Sequence, residues 1–204
     1  MPWPSKSSSR DSSRSSSSSQ SSEDYALSLN IHGDGRSPAS PAHWEAMIHK
    51  RGAKEGDHYR VRKNEEFYYD SPKNSRPIDA AYGRTEISHF SSSRKKDAER
   101  ILNDYGSNHA NLPRGSANSQ SWTVGALGAL EREKLAPEGT KRYWSGNVGR
   151  QSADVADRLR RDGTSWISNS GAAGQHRGRA EGQASRPVGR LDINALSGRS
   201  GRSR

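Results

Sequence analysis

Two stretches of this chain combine side chains that can move a proton with side chains expected to be buried. One is His43-Trp44-Glu45-Ala46-Met47-Ile48-His49, with His58 following on the next extended segment. The other is Asn118-Ser119-Gln120-Ser121-Trp122. A hydroxyl at a helix N-terminus gains from the positive end of the helix dipole and from unpaired backbone N–H groups, which can also hold an oxyanion. An imidazole on an adjacent strand can take the hydroxyl's proton, and a second polar residue can orient that imidazole. Such a set is suited to nucleophilic attack by the hydroxyl. Each residue also has a plain structural role to set beside this. Ser119 suits the first turn of a helix, and His43 and His58 suit half-exposed strand positions.

Other chemistries are not expected. His43 and His49 share a strand face, but six residues at ~3.3 Å each put them roughly 20 Å apart, too far to share a metal. The chain has no cysteine, which excludes disulfides, thiolate metal sites and a cysteine nucleophile. No glycine-rich loop has phosphate-binding spacing, and no cofactor is expected. His32, His89, His109 and His176 carry no readable signal.

The elements that must position these groups follow from periodicity. In 43–49, Trp44, Ala46 and Ile48 share one face, and His43, Glu45, Met47 and His49 share the other. A turn at Arg51-Gly52 to Gly56-Asp57 leads to a second strand, His58 to Lys63, with Tyr59 and Val61 on one face and His58, Arg60 and Arg62 on the other. Glu66 to Tyr69 is a third strand, closed by Asp70-Ser71-Pro72, and Thr85 to Phe90 a fourth. Ala98, Ile101, Leu102 and Tyr105 then fall at helical spacing, with Gly106 after them. A second helix runs from a cap at Asn118 to about Leu135, with Trp122, Ala126 and Leu130 as its stripe. Gly125 and Gly128 would allow it close approach to the sheet, and Pro137 and Gly139 end it. A third helix, Ser152 to Arg161, buries Val155, Ala156 and Leu159. Strands in succession followed by helices predict an α+β fold, a small antiparallel sheet packed against helices.

Composition limits where this fold can be. Of the 14 Trp, Tyr and Phe residues in the 204-residue chain, only Trp3 and Tyr25 lie outside 41–167. Residues 1–40 contain 16 serines and residues 168–204 are rich in Gly, Arg and Ser. The expected organisation is a disordered tail over 1–40, a folded domain over 41–167 and a disordered basic tail over 168–204.

The order of three short motifs supports a resemblance. Pro41-Ala42-His43-Trp44, then His58 on the following strand, then Asn118-Ser119-Gln120-Ser121-Trp122 opening a helix, resemble the lecithin retinol acyltransferase-like group, part of the permuted NlpC/P60 branch of the papain-like superfamily. More narrowly, they resemble uncharacterised fungal proteins with a His-Trp strand and an Asn-Cys-Gln-x-Trp helix. The likeness covers about residues 41–136. It implies His43 as general base, His58 as its orienting partner and Ser119 at the nucleophile position, where the group has cysteine. A thiol starts from a pKa of ~8.5 and forms a thiolate readily, whereas a serine hydroxyl must lose its proton during attack. The resemblance therefore implies a pseudoenzyme, or at most a serine-dependent acyltransferase or hydrolase.

The alternative reading is a binding protein acting through its tail. The formal charge is +10, and residues 168–204 carry seven Arg against Glu181 and Asp192. A tail of that kind attracts RNA or any other polyanion. Lys6 and Arg10 precede no apolar run, and the most apolar stretch, Val124 to Leu130, is too short to span a bilayer. The expectation is a soluble intracellular protein, cytoplasmic or nuclear.

Overall fold

Alternation governs the first described strand. In Tyr25–His32, Leu27, Leu29 and Ile31 point one way, and Ala26, Ser28, Asn30 and His32 the other. The computed structural model describes residues 24–72, 76–77 and 81–169. Strand β1 (Tyr25–His32) pairs antiparallel with β2 (His43–Lys50), and β2 pairs with β3 (Glu55–Lys63). Outside β3 lies β4 (Phe67–Asp70), and the two-residue β5 (Arg76–Pro77) also pairs β3. On the other side of β1 lie β6 (Gly83–Phe90) and then β7 (Ile167–Ser168). The sheet order is β4-β3-β2-β1-β6-β7, antiparallel throughout.

β1 corrects the expected tail boundary. Residues 25–32 do not belong to a disordered segment; they form a strand inside the sheet, buried from Ala26 to Ile31. The serine content of 1–40 conceals a period-two run that is adequate for a strand. Residues 33–40 are described too and lead into β2, with a bridge between Ser37 and Ser40, and Ser168, expected in the C-terminal tail, pairs Gly83 as part of β7; residues 1–23 and 170–204 of the two expected tails lie outside the described residues.

The expected strands and helices are present: β2, β3, β4 and β6, then α1 (Ser92–Ser107), α2 (Ser119–Arg132) and α4 (Ser152–Arg161). One core joins them. Leu27, Leu29, Ile31, Trp44, Ala46 and Ile48 from the sheet meet Ala98 and Leu102 of α1, Trp122, Leu127 and Leu130 of α2, and Val155 and Leu159 of α4. Trp122 packs between Tyr69 and Tyr105, with ring centroids 5.7 and 5.8 Å away. The α2 glycines serve a different approach from the one expected. A Cβ at Gly125 would collide with the Tyr105 hydroxyl on α1, and one at Gly128 would press on the Lys141 side chain, so they admit neighbouring helices rather than the sheet.

A short helix not read from the sequence, α3 (Thr140–Ser145), follows Gly139 at φ 86°. Its start is capped from a distance: the Glu131 carboxylate at the end of α2 accepts from Gly139 N–H (2.8 Å) and Lys141 N–H (2.7 Å). Those two bonds lower the Glu131 pKa. α4 is fastened to the loop after β1, where Ser152 N–H donates to Asp34 O (2.9 Å) and Ser152 Oγ to Gly33 O (2.7 Å). Among the described residues no helix is long and apolar enough to cross a membrane.

Candidate active site

The start of α2 is built by its own sequence. Asn118 caps it, its side-chain oxygen accepting from Gln120 N–H (2.9 Å) and Ser121 N–H (3.4 Å), while Ser121 Oγ accepts from Asn118 N–H (2.9 Å). This reciprocal arrangement fixes the first turn. Three side chains of that turn and the next then bind the beginning of β2. Gln120 Nε2 donates to Ala42 O (2.8 Å), Thr123 Oγ1 donates to Trp44 O (3.1 Å), and Ser119 Oγ accepts from Trp44 N–H (3.4 Å). Gln120 also accepts from Gly149 N–H (2.7 Å), so one fully buried carboxamide joins the sheet, α2 and the loop before α4.

Ser119 and His43 both line a cavity of about 490 Å³ where α2 meets the beginning of β2. No hydrogen bond joins them among the described residues. The acceptor side of the serine oxygen is occupied by the Trp44 amide. The cap also takes two of the first-turn N–H groups expected to hold an oxyanion, those of Gln120 and Ser121. Burial pushes the His43 imidazole down to about 4. Glu45 opposes this shift; His32, Arg60 and Arg62 reinforce it. His43 is thus neutral at physiological pH, able to accept a proton but weakly basic.

His58 lies elsewhere. It sits opposite Met47 in the β2–β3 register, and its Nδ1 donates to Glu45 Oε1 at 2.5 Å. It does not line the cavity that Ser119 and His43 share. The imidazole beside His43 is that of His32, its direct partner in the β1–β2 register, with ring centroids 5.9 Å apart and planes inclined by 51°. His32 Nε2 also donates to Glu45 Oε1, at 2.7 Å. The sequence offered no reason to select His32 until β1 was recognised as a strand; its place at the end of that alternating run is the signal that could have found it.

Glu45 organises this end of the sheet. Its side chain is fully buried and meets His32, His58, Asn30 Nδ2 (3.2 Å) and Arg60 NH1 (3.2 Å). Burial alone would raise its pKa, but the histidine hydrogen bonds and charges outweigh it and hold the carboxyl far below the ordinary range. Among the described residues no group of His, Asp and Glu is arranged to hold a metal ion, and Glu45 is occupied by hydrogen bonds.

A second serine–imidazole pair lies at the far end of β2. Ser28 Oγ is 2.9 Å from His49 Nε2. His49 Nδ1 donates to Lys50 O (3.0 Å), which puts the ring proton on Nδ1 and leaves Nε2 to accept from the Ser28 hydroxyl. Both residues are buried, and neither lines the Ser119 cavity.

No family model, curated protein or solved structure matches this chain.

Proposed function

We propose that this domain is a papain-like acyl-transfer fold of the lecithin retinol acyltransferase-like kind whose reaction has lapsed at the nucleophile. The observation that carries the reading is the junction of α2 with β2: a helix-opening residue and a strand-opening imidazole line one cavity, with the strand's Trp44 N–H on the Ser119 oxygen. With a cysteine at position 119, the thiol would give its proton to His43 and attack the acyl carbon of an ester or thioester. The tetrahedral intermediate would then expel the alkoxide or thiolate, which takes the proton back from His43. His32, anchored on Glu45, would position His43. With serine the same scaffold falls short on two counts. Its hydroxyl has no hydrogen bond to the imidazole, and a base lowered to about 4 removes a hydroxyl proton poorly.

The test is turnover of p-nitrophenyl esters and acyl thioesters by the wild type, Ser119→Cys and Ser119→Ala. The expected result is acyl release by Ser119→Cys alone, lost again when His43→Gln is added. Equal background in all three variants would remove the acyl-transfer reading.

A further inference from the structure

The cavity shared by Ser119 and His43 has a second wall, made by the end of β3 and the start of β4. Arg60, Arg62, Lys63 and Phe67 line it. The cations outnumber the carboxylates that reach them. Arg60 is committed, its Nε donating to Asp70 Oδ2 (2.9 Å) and its NH1 to Glu45 Oε2 (3.2 Å). Arg62 and Arg76 each approach that same Asp70 oxygen at 3.8 Å, so a single carboxylate oxygen serves three guanidinium groups. The Arg62 side chain is 55% exposed. Lys63 Nζ lies 5.6 Å from the centre of the Phe67 ring, and among the described residues no carboxylate pairs with it. The N-terminus of the 14-residue α2 adds partial positive charge at the opposite wall.

A space of this volume suits a small organic molecule rather than a polymer. Its charge calls for an anion, and guanidinium and ammonium groups lining one cavity suit an oxyanion. The half-buried Phe67 offers an apolar surface beside them. We propose that this cavity binds a small organic ligand by its oxyanion, a phosphate or a carboxylate, through Arg62 and Lys63, with the body of the ligand extending past His43 towards Ser119. The inference rests on the acyl-transfer reading only in placing an acyl carbon at Ser119; capture of the anion requires no reaction.

The experiment titrates the full chain, labelled with nitrogen-15, with inorganic phosphate and separately with benzoate at fixed ionic strength. Amide shifts at His43, Arg62, Lys63 and Ser119 should saturate with at least one of the two, and the tighter probe identifies the source of the oxyanion. The Arg62→Gln/Lys63→Gln protein should bind at least about tenfold more weakly, as expected when charge-assisted hydrogen bonds are removed. Lys96→Gln/Arg100→Gln, which changes net charge equally on exposed positions of α1, should leave the affinity unchanged. Shifts that never saturate and spread over the basic surface, or equal weakening by both double variants, would show an adventitious ion only and overturn the proposal. Anion binding without acyl release by Ser119→Cys would keep this inference and remove the previous one; acyl release without anion binding would do the reverse.

Discussion

Strand β2 carries an imidazole at each end, and each has a serine for a neighbour. At one end His49 and Ser28 are 2.9 Å apart with the ring tautomer fixed by the Lys50 carbonyl, the hydrogen bond expected of a serine nucleophile and its base. At the other end His43 and Ser119 lack that bond. Yet the first pair is enclosed and the second opens on a cavity of about 490 Å³ beside three cationic side chains. Good hydrogen-bond geometry without access is core polarity that has been satisfied. Access without the hydrogen bond is what the proposed acyl-transfer reading expects of a site whose nucleophile has been replaced.

The largest perturbation of this comparison is removal of Glu45. Glu45→Ala leaves Arg60, His32 and His58 without their shared carboxylate, and breaking a buried ion pair in this way costs about 3–5 kcal/mol. Urea unfolding should register that loss, and a cost under ~1 kcal/mol would mean that the carboxylate does not organise the His43 end. Ser28→Ala should come next, at about 1–3 kcal/mol, because His49 Nε2 is left buried without a donor. Ser119→Ala, removing a hydroxyl at a cavity wall, should cost less than Ser28→Ala in the same assay. Reversal of that order would make Ser119 the structural serine and Ser28 the dispensable one.

The smallest effect lies in pH dependence. Burial lowers His43 from 6.5 to about 4 and lowers His49 as well. In that window the unfolded chain binds the proton first, so stability is full above pH 6.5 and declines as pH falls towards 4. Glu45, held low, contributes in a separate and more acidic window: its stabilisation is full above its ordinary value of 4.5 and is lost as pH falls below it. His43→Gln should flatten part of the slope of the urea midpoint between pH 6.5 and 4, and His49→Gln a further part. A slope unchanged by His43→Gln would mean that this imidazole is not desolvated.

Much of this arrangement was legible locally. The alternation in 43–49, the apolar triplet Val155, Ala156 and Leu159, and the capping side chain of Asn118 each encode an element through a few adjacent residues, and the structure has all three. What was missed depended on distance or on averaging. The run Tyr25–His32 was submerged in a serine-rich stretch, and with it went His32, whose neighbour His43 is set by strand register rather than sequence spacing. α3 has no side-chain cap of its own; it is capped by Glu131 from another helix. His58 had the right strand and the right face, but Glu45, also on that face, claims it.

The central claim is that position 119 is a nucleophile's place occupied by the wrong atom. The direct measurement is intact-protein mass spectrometry after incubation with an acyl thioester, comparing the wild type with Ser119→Cys. The account predicts an unmodified wild type and a single added acyl group on the variant, mapped to residue 119 and absent once His43→Gln is added. A variant that stays unmodified, or acquires acyl groups only on surface lysines, would contradict it.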